Sequence, residues 1–286
     1  KAIKQYILDA YKKCAYERVI VGLEATSVYN VLPSYELTND SDLEAIGLEV
    51  VTLNPKMTHR FSQVYDQDKT DSVDARNIAD FLRVGRYEVP VPRDERHLAL
   101  QRLTRERFHL TKEITWCKNH FLNNLYYKMN TIDAELPTSV FGATIMTVLT
   151  DERYSLDELA DLPLEQLTAD LNALGHGRFG DPEAVAKALK RSARDSYRLD
   201  KQVMDSVNLV LGMYANEIRM FSKQMKELNK SIAALCEATP EAKCLESIPG
   251  IGPVYAAGII AEIGQPERFK NEASLAKYAG LVWRRS

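Results

Sequence analysis

Long apolar runs are missing from this chain. None of about 18 residues occurs among its 286, so no segment reads as a membrane-spanning helix. The first ten residues carry three charges and no apolar stretch of signal-peptide length, so no secretion signal is expected. Cysteine is scarce: Cys14, Cys117, Cys236 and Cys244 form no CxxC pair, which suggests neither a zinc ribbon nor a disulfide framework. Cytoplasm is the expected compartment. His59, His97, His109, His120 and His176 form no HxxxH or HExxH pattern, so no histidine-held metal site is expected. With 45% hydrophobic and 27% charged residues, the composition excludes a disordered chain, a collagen and a disulfide-dense miniprotein. The length predicts about two domains, at about 100–200 residues each.

The net charge of −3 argues against a uniformly basic nucleic-acid binder. That average hides a segregation. Residues 93–130 hold eight cations and four carboxylates, a net +4, with His97, His109 and His120 in addition. Residues 131–170 hold nine carboxylates against Arg153, a net −8. A basic stretch beside an acidic one is compatible with a localised nucleic-acid face, though two solvated helix faces are the plainer reading.

Residues 1–16 read as an amphipathic helix, with Ile3, Ile7 and Tyr11 at four-residue spacing. Residues 18–24 form a short apolar run of strand length that ends in Glu24. A helical stretch reaches about residue 46, and residues 48–54 form a second strand with Pro55 at its exit. Helix, strand, helix, strand is the order of a parallel α/β sheet, where active sites lie at the carboxyl ends of strands. Glu24 is at such an end. Residues 70–86 read as a helix with Thr70 as N-cap and Asp71 and Asp74 in its first turn. Pro90 and Pro92 mark a linker.

Residues 93–130 read as one long helix with a stripe of Leu100, Leu103, Leu110, Ile114, Cys117, Phe121 and Leu125, Arg107 filling the remaining position. Residues 131–182 look irregular, with short helices broken by proline and glycine. A second long helix is expected from about residue 183. In it Val207, Leu211, Tyr214, Ile218, Phe221, Met225, Leu228, Ile232 and Leu235 alternate in steps of four and three, the 3.5-residue repeat of a coiled coil. The repeat fits a hairpin with the 93–130 helix, a partner chain, or both. After Pro240, residues 248–254 place Gly250 and Gly252 in a turn between two helical patterns. Such a turn leaves backbone N–H groups to face a phosphate, as in helix-hairpin-helix modules, or serves only as a tight helix–helix turn.

Asp71 and Asp74 share a helix face. If that helix starts beside the end of the first strand, they converge with Glu24. Two carboxylates about 4 Å apart repel by about 4 kcal/mol at an effective dielectric of about 20, so such a cluster calls for a cation. Oxygen-only ligation suits Mg²⁺ or Mn²⁺. The plainer alternative is that both acids complement the helix dipole. Tyr126 and Tyr127 suit stacking on bases or interface packing.

Together these residues resemble the DEDD-type transposases of insertion sequences, relatives of the Piv-type DNA invertases. Val21-Gly22-Leu23-Glu24-Ala25-Thr26 is similar to the family's strand ending in an acid, and Asn54-Pro55 to its Asn-Pro element. Lys69-Thr70-Asp71-Ser72-Val73-Asp74-Ala75-Arg76 resembles the motif that carries the last two acids of the family's catalytic tetrad. Ile248-Pro249-Gly250-Ile251-Gly252 resembles its Pro-Gly-Ile-Gly signature, and Tyr278-Ala279-Gly280-Leu281 the stretch that follows.

The resemblance implies a partial RuvC-like (ribonuclease H-like) catalytic domain over 1–90. It implies a helical coiled-coil region over 91–239 and the start of a C-terminal transposase domain over 240–286. It implies Mg²⁺-dependent (or Mn²⁺-dependent) DNA strand cleavage and exchange, with Glu24, Asp71 and Asp74 as catalytic metal ligands. Lys69, Arg76, Arg102, Arg105, Gly250 and Gly252 are the candidate nucleic-acid contacts. It further implies DNA and an element-encoded RNA as partners, a homo-oligomer (dimer or tetramer), and a serine nucleophile. The family's first acid lies on a strand ahead of residue 1, and its serine precedes a glycine that does not follow Ser286. The chain is therefore expected to be a piece missing both ends. Two rivals share these residues: a junction-resolving nuclease of the same fold, and a non-catalytic nucleic-acid-binding helical scaffold.

Overall fold

The computed structural model describes residues 2–14, 16–64, 70–85, 87, 95–151, 153–237 and 239–281. The chain divides into two compact units, Lys1–Arg93 with Pro266–Ser286, and Asp94–Gln265. Among the described residues it is mainly helical, with one two-stranded sheet. None of the described helices is long and apolar enough to cross a membrane.

The first unit runs α1 (Ala2–Cys14), β1 (Ile20–Glu24), α2 (Val31–Thr38), α3 (Ser41–Ala45), β2 (Glu49–Leu53), α4 (Pro55–Ser62) and α5 (Asp71–Val84). The strands are parallel, with Ile20 opposite Glu49 and Glu24 opposite Leu53. Alternating side chains give the pair two faces. On one, Ile20, Val51 and Leu53 pack with Phe61, Ile78, Phe81 and Leu82 of α4 and α5. On the other, Val19, Val21 and Val50 pack with Ile7, Leu37 and Leu43 of α1, α2 and α3. The Arg18 guanidinium grips both oxygens of Glu49 at 2.6 Å and straps the start of one strand to the other. That pairing holds the Glu49 carboxyl below its usual range.

Pro55 does more than end a strand. Asn54 accepts from the Lys56 N–H and caps α4, whose first position is Pro55, so the Asn-Pro element opens a helix. Thr70 caps α5 by accepting from the Val73 N–H, and Gly85 closes it at φ +73°.

The second unit runs α6 (Glu95–Lys128), α7 (Ile132–Glu135), α8 (Ala143–Thr150), α9 (Leu156–Asp161), α10 (Leu164–Gly175), α11 (Pro182–Asp195), α12 (Lys201–Cys236), α13 (Pro240–Glu246) and α14 (Pro253–Ile263). Beyond it, α15 (Glu272–Tyr278) belongs to the first unit. Helices α6 and α12 form an antiparallel hairpin: Arg107 donates to Asn229 at 2.7 Å, and Cys117 to Glu217 at 3.3 Å. Of the seven-residue repeat, Val207, Leu211, Ile218 and Ile232 are buried, and the other positions are half-buried. The repeat therefore packs on the chain's own α6.

Two sequence expectations change here. Residues 131–182 contain short helices as expected, but they build the largest core rather than an irregular insert. Ile145, Leu149, Leu159, Leu167 and Leu171 are buried there with Phe121, Leu125, Leu189 and Leu211. The second long helix does not begin near residue 183, because the chain breaks between Asp195 and Lys201. Ser196 leaves the helix at ψ 144° and its hydroxyl donates to the Ser192 carbonyl. Arg198 donates to the carbonyls of Ala193 and Ser196, and Asp200 caps α12 through the Gln202 N–H. These groups satisfy a helix end that apolar spacing alone cannot register. Helices α13 and α14 close the far end of the hairpin, where Ala242, Ala257, Ile260 and Ala261 pack on Leu100, Ile232 and Cys236.

Candidate functional site

Glu24 is the last residue of β1, and strand alternation puts it on the same face as Ile20 and Gly22, towards α4 and α5. Thr58 of α4 is buried there, its Oγ1 3.3 Å from Glu24 Oε1 and 3.0 Å from the Pro55 carbonyl. Its single proton serves one of those oxygens at a time. The backbone turns sharply just beyond. The Ala25 N–H donates to the Leu53 carbonyl, the Thr26 N–H to the Glu24 carbonyl, and Ser27 sits at φ +52°. A non-glycine residue in the left-handed region costs free energy, and the backbone hydrogen bonds of Ala25, Thr26 and Tyr29 hold this exposed turn in place.

Asp71 and Asp74 occupy the first turn of α5, Asp71 exposed and Asp74 half-buried. The helix reaches the sheet through Gly22. A Cβ on Gly22 would lie 2.7 Å from Leu82 and 2.8 Å from Ile78, so only glycine lets α5 come this close to β1. Glu24 lies two residues, about 6.6 Å, along the strand from Gly22. Asp74 lies four residues, about 6 Å, along the helix from Ile78. The donor set is oxygen only, and its chemistry suits a hard divalent cation. Among the described residues, however, no three of His, Cys, Asp and Glu gather closely enough to hold a metal ion.

The remaining candidates are dispersed. Arg76 is exposed on α5, and Arg102 is exposed on α6. Arg105 is engaged by Glu262 of α14 through two short bonds. Gly250 turns at φ +91°, and Gly252 is the N-cap residue of α14, which has no side-chain cap. A Cβ at either glycine would meet open space. Lys69 and Ser286 lie outside the described residues. Sequence reasoning missed Thr58 and the close approach at Gly22. The signal for Thr58 was Asn54-Pro55 read as a helix start, which places Thr58 one turn into α4, beside the strand end.

Comparisons with known proteins bear on both ends of the chain. Residues 3–127 match a family model for DEDD transposases of the IS110 type, described as transposase. Residues 242–286 match the transposase IS116/IS110/IS902 family. The chain is 27% identical over 242 residues to the "insertion element IS116 uncharacterized 44.8 kDa protein" of Streptomyces clavuligerus, covering 84% of this chain and 59% of that protein. It is 29% identical over 127 residues to the "insertion element IS110 uncharacterized 43.6 kDa protein" of Streptomyces coelicolor, covering 37% of this chain and 31% of that protein. The chain thus spans less than two thirds of the length of either relative.

Proposed function

We propose, starting from a chain that belongs to the IS116/IS110/IS902 transposase family, that it carries part of a metal-dependent machine for DNA strand cleavage and exchange. The observation that carries this reading is the pair of family matches in order, over 3–127 and 242–286. Glu24, at the carboxyl end of a parallel strand, supports it.

In this reading residues 1–90 are part of a RuvC-like domain, and Glu24, Asp71 and Asp74 would hold Mg²⁺ or Mn²⁺. Such a cation, when bound, activates the attacking oxygen and stabilises the leaving one in phosphoryl transfer. The chain's own groups position the acids: Thr58 orients Glu24, Gly22 admits α5, and Thr70 fixes where α5 begins. The turn at Gly250 and Gly252 offers backbone N–H groups to a phosphate. Arg76, with Lys69, contacts the DNA backbone. An element-encoded RNA and a second copy of the chain complete the assembly.

The test is excision and joining of a marked insertion element in cells by the full-length protein, beside calorimetric titration of this chain with Mn²⁺. Asp74→Asn is expected to abolish joining and to weaken Mn²⁺ binding. Normal joining by that variant ends the metal assignment.

A further inference from the structure

Helix α12 has a second stripe, on the side away from α6. At 100° per residue, Leu209, Met213, Asn216 and Met220 fall within about 30° of a single line along the helix, opposite the buried Val207, Leu211 and Ile218. Leu209 is 69%, Met213 56% and Met220 48% exposed. Their steps of four, three and four repeat the spacing of the seam, so the helix carries two coiled-coil faces and its own chain covers one. The stripe is also free of charge. Between Ser206 and Ser222 the charged residues are Glu217 and Arg219, both half-buried: Glu217 accepts from Cys117 of α6, and Arg219 donates to Thr147 of α8. Charges return at the two ends of the stripe, as Asp205 at one and Lys223 and Lys226 at the other, all exposed. Gly212 lies beside the midpoint, and a Cβ there would meet open space. A glycine inside a helix destabilises it relative to alanine, and no contact within the chain calls for one here. Its missing side chain leaves room for another backbone to come close.

We infer that this stripe of α12 packs against the same stripe of a second copy of the chain, antiparallel, about a twofold axis at residues 214–215. The inference rests on the two-copy assembly proposed above and names the face that the copies share. Apolar and charged positions are arranged symmetrically about that one point. A twofold axis there sets Leu209 against Met220 of the second copy, and Met213 against its Asn216. It also brings Asp205 beside Lys223 and Lys226 of the second copy, at both ends of about 27 Å of helix. Asp205 meets Lys201 of its own helix at 2.8 Å, but that pair is exposed, and a carboxylate has acceptors for more than one lysine. A parallel pair would instead face Asp205 with Asp205 and Lys223 with Lys223, and like charges repel. A nucleic acid is a poor occupant, because the stripe offers its phosphates no cation over about 16.5 Å, from Leu209 to Met220.

The experiment measures the mass of the chain in solution by light scattering at micromolar concentration, without nucleic acid. A dimer is expected. Met213→Glu is expected to give a monomer with an unchanged circular dichroism spectrum, since the side chain it replaces is exposed. Orientation is read by disulfide trapping in a Cys14→Ser, Cys244→Ser background, which removes the exposed thiols. Chains with Leu209→Cys and chains with Met220→Cys are expected to cross-link when mixed and to stay separate alone. Like positions stand about 16.5 Å apart along antiparallel helices, too far for a disulfide. Asp205→Lys is expected to loosen the dimer about fivefold, and Lys223→Asp with Lys226→Asp added to it to restore the affinity. A monomeric parent chain, a dimer that survives Met213→Glu, or cross-links between like chains would each overturn the inference. So would a longer form of the protein that is monomeric and shields Leu209→Cys from a maleimide, because its own chain then covers the stripe. Asp74→Asn is expected to dimerise normally. If that variant joins DNA while Met213→Glu is monomeric, the metal assignment fails and this interface stands. If the parent chain is monomeric while Asp74→Asn loses joining, the interface fails and the metal assignment stands.

Discussion

Arg105 on α6 holds Glu262 on α14 as a planar, two-bond pair, Nε to Oε1 at 2.7 Å and Nη2 to Oε2 at 2.9 Å, across 157 residues of chain. Gln101 adds a third bond to the same carboxylate at 3.0 Å. A residue that sequence reading assigns to DNA is here a strap between two helices of one unit. The Arg105 side chain is 61% exposed, so solvent weakens the pair. Arg105→Ala is expected to lower stability by about 0.5–1 kcal/mol, and Arg105→Lys to recover only part of it, because an ammonium cannot reproduce the fork. Urea unfolding of both variants checks this.

Gly22 is where strand and helix touch most closely. Gly22→Ala forces its new Cβ into Leu82 and Ile78, at 2.7 and 2.8 Å. Overpacking of this kind costs about 1–3 kcal/mol. The expected result is a lower urea midpoint together with impaired joining of element DNA, because α5 carries Asp71 and Asp74.

Asp71 and Asp74 face the opposite separation. Each stabilises the start of α5 by about 0.3–1 kcal/mol through the helix dipole, so losing one cannot unfold the domain. Asp71→Ala or Asp74→Ala in the full-length protein is expected to abolish recombination while its thermal midpoint moves by only a few degrees. Calorimetry and the joining assay, run on the same preparation, separate the two effects.

Lys128 and Lys190 are both buried, with different consequences. Lys128 is 3% exposed, its ammonium donates to the Leu149 carbonyl at 2.8 Å, and burial pushes its pKa down to about 8. An unfolded lysine titrates near 10.4, so between about pH 8 and pH 10.4 the unfolded chain binds more protons. Stability is therefore expected to rise with pH across that window, and the penalty is fully present below it. Lys128→Met should flatten that rise in pH-dependent urea unfolding. Lys190 instead donates to the carbonyls of Leu159, Ala160 and Leu162 at the end of α9. Lys190→Met takes this donor from the Leu159 and Leu162 carbonyls, while Ala160 keeps Arg194 at 3.3 Å, and is expected to cost about 2–3 kcal/mol.

Much of this architecture is local and was therefore readable. The two strands, the Thr70 cap and the α6 helix follow from period, capping chemistry and strand length, which depend only on near neighbours in the chain. The break at residues 196–200 was not readable. Apolar spacing continues across it, and the groups that end α11 are polar contacts of Ser196 and Arg198. The core built by residues 131–182 was hidden for a related reason. Its helices are short, and each is stable only through burial against α6, α11 and α12.

The order of residues alone settles which types stand at strand ends and helix starts, and so the candidacy of Glu24, Asp71 and Asp74. It also determined the family, because motifs in fixed order are a one-dimensional property. Packing in three dimensions is what brings Thr58 to Glu24, gives Arg105 to Glu262 and lays the α12 repeat on α6. Each of those contacts joins residues at least 34 positions apart. Whether such residues meet depends on how whole elements pack, and no local pattern encodes that.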